Sequence, residues 1–226
     1  RRVLKTLPET TNVENKNQIK YAAIPETNSS KIYSKKVIKK QKSPSVLFAS
    51  GQYGKAIELI NTNLKSNIDN HKLIFLKGRS QLMLNQYEKA ALTFLDALAI
   101  KMDSDYLNGL GYAYSKLKQP NKALAAYNKA ISINNKNSYA YFNSGLLLEN
   151  EGNVKRAADY FYSAGTSSLL NKDFLKANNS HDALERLSKI ESVIVEKSNK
   201  LESLIKELSD DKDDDFKIIK INTNGD

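Results

Sequence analysis

The chain offers few residues able to make or break a bond. Cysteine is absent, which excludes disulfides, thiolate metal sites and a cysteine nucleophile. The two histidines, His71 and His181, stand far apart and give no basis for a histidine-rich metal site. Ser180-His181-Asp182 carries the letters of a catalytic triad in consecutive positions. On a helix, neighbours point about 100° apart, so these three cannot converge on one reacting atom. Asp211, Asp213 and Asp215 imitate the opening of a calcium-binding loop. However, Phe216 stands where that loop needs glycine, and Asn222 where it needs a bidentate glutamate. There is no glycine-rich phosphate loop and no histidine–carboxylate cluster at metal spacing. The sequence is therefore read as that of a protein that is not an enzyme, with no catalytic residues, no metal and no cofactor.

What remains is charge and surface. The net charge of +10 over 226 residues is unevenly placed. Residues 1–42 hold 11 Lys/Arg against 3 Asp/Glu, and the remainder 24 against 22. The basic segment contains Pro8 and Pro25 and shows no apolar period, so it is expected to be a disordered tail or tether. Its end, Lys31 to Lys42, is a basic cluster that would attract phosphates or an anionic membrane surface. The chain opens on Arg1-Arg2 with no apolar signal core, so any targeting segment is expected to have been removed or left out. No run reaches the ~18–20 apolar residues of a membrane-spanning helix.

From Ser43 the pattern becomes periodic. Small residues recur at Ala56, Ala90, Ala123 and Ala157, and large apolar residues at Ile60, Phe94, Tyr127 and Phe161. A further column is Asn63, Ala97, Ala130 and Ala164, and glycines fall at Gly78, Gly111 and Gly145. Every column steps by 33 or 34 residues, the signature of a stacked repeat. Within one unit, Tyr106, Leu107, Leu110, Tyr114 and Leu117 recur at helical spacing. A turn at Lys118-Gln119-Pro120-Asn121 follows, then Ala123, Leu124, Tyr127, Ala130 and Ile131 form a second stripe. Pro120 suits the first turn of that second helix. Gly111 and Ala123 are expected where the two helices approach most closely.

These residues resemble the tetratricopeptide repeat family. The match is fullest at Tyr106-Leu107-Asn108-Gly109-Leu110-Gly111-Tyr112-Ala113-Tyr114 with Ala123, Tyr127 and Ala130. Lys77 and Gln81 depart from it, and Asn135 replaces a common proline. The resemblance implies an all-α solenoid of about four helix hairpins in which the first helix of each pair lines a concave groove. It thereby implies that Phe75, Arg79, Asn108, Tyr112, Tyr139, Phe142 and Leu146 form a partner-binding groove for a peptide or helix. Leu169 to Ala177 are expected to cap the solenoid, which spans 43–179.

Ser180 then reads as a helix N-cap, and 180–209 as one long amphipathic helix with Leu187, Ile194, Leu201 and Leu208 every seven residues. It is expected to pack on the last repeat; the alternative is a coiled-coil oligomer through 181–209. Residues 210–226 read as an acidic flexible tail. The Asn108-Gly109-Leu110-Gly111 helix and its successor are similar to the tetratricopeptide lipoproteins of bacterial Flp/Tad pilus assembly. That similarity implies a non-enzymatic scaffold for a bacterial envelope machine (a Tad or type IV pilus, or a secretin) in the periplasm or at the outer membrane. Membrane contact is then expected only through a removed N-terminal anchor, and nucleic acid is not expected as a partner. The alternative is a cytoplasmic adaptor or chaperone whose basic tail contacts nucleic acid.

Overall fold

The structure, a computed structural model, describes residues 43–210. The tail expected over 1–42, and all of the acidic terminus beyond Asp210, lie outside the described residues. Ten α-helices follow one another among them: α1 (Pro44–Ala49), α2 (Tyr53–Leu64), α3 (His71–Met83), α4 (Tyr87–Ile100), α5 (Ser104–Lys116), α6 (Pro120–Ile133), α7 (Ser138–Asn150), α8 (Val154–Leu170), α9 (Phe174–Ser188) and α10 (Val195–Asp210). There is no strand among the described residues. The fold is the expected all-α helix-pair solenoid, with the first helix short and capped by Ser43.

The two kinds of helix start differently. Asn70, Asp103, Asn137 and Asp173 cap α3, α5, α7 and α9, each side-chain oxygen accepting from a backbone N–H of the first turn. The second helices have no such cap. Instead Gly51, Asn85, Lys118 and Gly152, again 33 or 34 residues apart, take φ of +73°, +57°, +58° and +74° and turn the chain back on itself. Gln52, Gln86, Gln119 and Asn153 then lead into α2, α4, α6 and α8. Pro120 occupies the opening of α6 as expected.

The columns become the core. Ala56, Ala90, Ala123, Ala157, Ile60, Phe94, Tyr127 and Phe161 are all within 1% of full burial. A Cβ on Gly111 would lie 2.5 Å from the Tyr127 ring and 3.1 Å from the Ala123 carbonyl oxygen, so only glycine admits that ring. Each buried ring is worth about 1.5–3 kcal/mol. Burial also pushes the Tyr127 hydroxyl far above its ordinary pKa, which keeps it neutral. Consecutive pairs are knitted by Asn137, whose Nδ2 donates to Ser104 Oγ (2.7 Å) and Asp105 Oδ1 (3.1 Å), while Ser104 Oγ donates to the Ala130 carbonyl (2.9 Å).

The C-terminal region differs from the sequence reading. Leu169 lies in the last turn of a long α8 and is fully buried rather than opening a capping segment. Ser180 is not an N-cap but lies inside α9, donating to the Lys176 carbonyl. The single helix over 180–209 is broken between Ser188 and Val195, with a 3₁₀ turn at Ser192–Ile194. The break lets α10 return along α8 and α9, making a fifth pair. Leu201 is fully buried there, and a Cβ on Gly165 of α8 would lie 2.4 Å from its Cδ2. The apolar stripe is therefore used within the chain.

Candidate functional site

The first helices α1, α3, α5 and α7 touch in succession, so their outward residues form one continuous face. Each expected groove residue can be followed along it. On α3, the Arg79 guanidinium sits over the Phe48 ring of α1 (4.6 Å) and reaches Phe75 (5.8 Å). Phe75 is half-buried. Its ring stacks on Tyr106 of α5 at 4.5 Å and tilts against Phe94, so much of its area belongs to the core. The Tyr106 hydroxyl is hydrogen-bonded to His71 Nδ1 (2.6 Å), and burial, then Asp103 and Asp105, raise its pKa.

At the centre, Asn143 Nδ2 of α7 donates to Asn108 Oδ1 of α5 at 2.9 Å. Tyr112 lies one turn beyond Asn108, half-buried, with the Lys116 ammonium over its ring (5.2 Å). On α7, Tyr139 and Leu146 are exposed, and Phe142 packs edge-on against Phe161 at 5.2 Å. The structure thus joins Phe75 to Arg79, Asn108 to the unforeseen Asn143, and Tyr139 and Phe142 along one wall. Among the described residues, neither Tyr112 nor Leu146 is hydrogen-bonded to or ring-stacked on the others.

Between α7 and α9 the face opens. Long side chains bridge both ends: Arg186 donates to both Glu149 oxygens (2.9 and 2.8 Å), and the Lys176 ammonium lies over the Tyr139 ring (4.4 Å). Lys176 also pairs with Asp173. The hydrogen bond from Lys176 holds the Asp173 carboxyl below its usual range, and the same bond raises the Lys176 pKa. Between these bridges lies a cleft of about 140 Å³ bounded by Tyr139, Phe142, Lys176 and Asn179, with Ser168 of α8 behind them.

Sequence reasoning missed Asn143, Lys176, Asn179 and Ser168. Asn143 lies 35 residues after Asn108, close to the repeat step, and a search for polar columns would have found it. Lys176 fell within the 169–177 segment read as a cap, and Ser168 and Asn179 flank that segment. The structure also places His181, Asp182 and Glu185 with ligand atoms within 4.8 Å of one another, a grouping the sequence reading did not expect. Both carboxylates are exposed and all three residues lie on one stretch of α9, so the grouping by itself defines no metal centre.

The class is that of helix-pair repeat proteins with a side-chain-lined recognition face. The family model for the tetratricopeptide repeat matches residues 104–137, that is α5, α6 and the cap of α7. That match and the fold support this family for the chain. Among curated relatives, the chain is 29% identical over 107 residues to a TPR repeat-containing protein of Methanocaldococcus jannaschii, covering 47% of this chain and 19% of that protein. It is 33% identical over 81 residues to the human protein O-mannosyl-transferase TMTC3, covering 35% of this chain and 9% of that protein. The chain therefore spans less than a fifth of either, and the transferase activity belongs to the human protein. Among solved structures, MamA from Desulfovibrio magneticus aligns over 83% of this chain and 98% of its own, at 14% identity and a TM-score of 0.56. A further MamA crystal structure aligns over 73% and 90%, at 15% identity and a TM-score of 0.54. These likenesses show the fold.

Proposed function

We propose that the chain is a non-enzymatic scaffold that holds an extended peptide segment of a protein partner along the face of α3, α5, α7 and α9. The observation that carries this reading is the Asn108–Asn143 pair. Its single hydrogen bond leaves the Asn108 amide N–H groups and the Asn143 carbonyl without partners among the described residues. One donor set and one acceptor side by side match the alternating C=O and N–H of a peptide backbone. The flanking rings of Tyr112 and Phe142 supply area at low conformational cost, as interface anchors do.

A displayed library of random peptides selected on the full chain tests this. Selected peptides should lose at least tenfold in affinity to the Asn108→Ala/Asn143→Ala variant. Equal binding to the variant would move recognition elsewhere.

The finer reading is that the partner belongs to a bacterial envelope machine, a pilus or a secretin, with the chain in the periplasm or at the outer membrane. Its support is the resemblance of the Asn108–Gly111 stretch together with the basic segment before the repeats. The gene's coding sequence upstream of Arg1 decides it. A signal peptide ending in a lipid-modified cysteine agrees with this placement, and an ordinary methionine start favours the cytoplasmic adaptor.

A further inference from the structure

We propose that α10 is an exchangeable element: at high concentration the α10 of a second copy takes its place on α8 and α9, and two chains form a swapped dimer. The proposal is independent of the peptide-scaffold reading and stands on the elbow between α9 and α10.

The elbow carries no residue that demands a bend. Lys189-Ile190-Glu191 holds neither glycine nor proline, and lysine and glutamate are good helix formers. Lys189 and Val195 are helical, at φ −71°, ψ −19° and φ −55°, ψ −43°, while Glu191 between them is extended at φ −133°, ψ 113°. The Glu191 N–H still donates to the Leu187 carbonyl, the four-residue step of an α-helix. Helical angles across the elbow would therefore join α9 and α10 into one rod. The N–H groups of Ser192 and Val193, which open the 3₁₀ turn, would then gain the carbonyls of Ser188 and Lys189.

The bend is also poorly covered. Ile190 is 65% and Val193 63% exposed. Both line an open cleft of about 650 Å³ together with Lys155, Ala158 and Asp159 of α8. The Lys155–Glu191 ion pair (3.4 Å) ties the elbow to α8, and a solvent-exposed pair of this kind contributes little. The docked part is well packed by contrast. Ile194, Leu201 and Ile205 are buried in the cluster that α8 and α9 build, and Lys197 pairs with Asp159 (3.1 Å). An identical α10 reproduces each of those contacts, so exchange gives up only the elbow. On a straightened helix Ile190 and Val193 share one face, and they would meet their counterparts where the two rods cross. A second copy is thus the occupant that fits α8 and α9 as closely as α10 itself. Each dimer presents the first-helix face twice, so a divalent partner would bind it with avidity.

The test refolds an equal mixture of unlabelled and isotope-labelled 226-residue chains from urea. Refolding is done at about 1 mM and at about 5 μM, and the products are separated by size exclusion with light scattering. The dilute sample should be monomeric, and the concentrated one should contain a dimer. Carbodiimide then couples Asp159 to Lys197 across their ion pair, and mass spectrometry reads the linked peptides. In the swapped dimer about half of these links should join a light chain to a heavy one, and in the monomer none should. Ser192→Pro is the discriminating variant. Proline suits the opening of the 3₁₀ turn after an extended Glu191, and it breaks a straight helix. The variant should melt no lower than wild type and form at least about tenfold less dimer. The link readout on wild type needs no variant, so it decides the matter should Ser192→Pro fail to fold. A concentrated wild type that stays monomeric, a dimer whose links all lie within one chain, or a folded proline variant that dimerises like wild type would each overturn the proposal.

Discussion

Single residues carry the recurring turn. Gly51 and Gly152 enter the left-handed region freely and Asn85 tolerates it, but Lys118 adopts φ +58° with a Cβ. That conformation costs a non-glycine residue about 1–2 kcal/mol, less for asparagine. Lys118→Asn should therefore raise stability by about 0.5–1 kcal/mol, read as a higher urea midpoint with an unchanged slope. An unchanged or lower midpoint would show that the turn imposes no strain. At this scale the sequence was only partly legible. The alanine, glycine and aromatic columns stand out because helices at close approach tolerate few residue types. The left-handed column holds Gly, Asn, Lys and Gly, which share a backbone angle and no side-chain property, so it emerges only from the structure. The cap column of Asn70, Asp103, Asn137 and Asp173 was not read in the sequence either, because asparagine and aspartate recur throughout the chain.

Among elements, α9 shows how a cap and an ion pair act together. Asp173 accepts from the Lys176 N–H and pairs with the Lys176 ammonium. Its carboxyl titrates below the usual value of 3.8 because of that bond. A lowered pKa in the folded state means a contribution present above the unfolded value and lost as pH falls through the folded one. Lys176 is raised above 10.5, so its share is present below that value and lost as pH rises past it. Asp173→Asn retains a capping oxygen and loses the charge. Its melting temperature should lie below that of wild type from pH 5 to 9, and the gap should close below about pH 4 as Asp173 protonates. A gap independent of pH would assign the whole effect to the cap. The broken helix was not legible for a clear reason. Leu187, Ile194 and Leu201 are all buried, and a seven-residue spacing predicts that burial equally for a straight helix and for two helices folded together. Lys189-Ile190-Glu191 contains neither glycine nor proline to mark the bend.

At the largest scale, the described residues form five stacked pairs, the last completed by α10. Leu201 lies fully buried against Gly165, in a cluster with Leu169, Leu184 and Leu187. Leu201→Glu should cost roughly 2–4 kcal/mol, a lost buried side chain plus a charge against apolar surface. Light scattering should find the same oligomeric state before and after. An oligomer that dissociates with its melting temperature unchanged would instead assign the stripe to an intermolecular coiled coil.

Whether a peptide lies along the first helices is read directly by mapping. A peptide selected on the full chain is titrated into isotope-labelled protein and the perturbed amides are assigned. Shifts should concentrate on α3, α5, α7 and α9, centred on Asn108, Tyr112, Phe142 and Asn143. Shifts confined to α2, α4, α6 and α8 would contradict this placement.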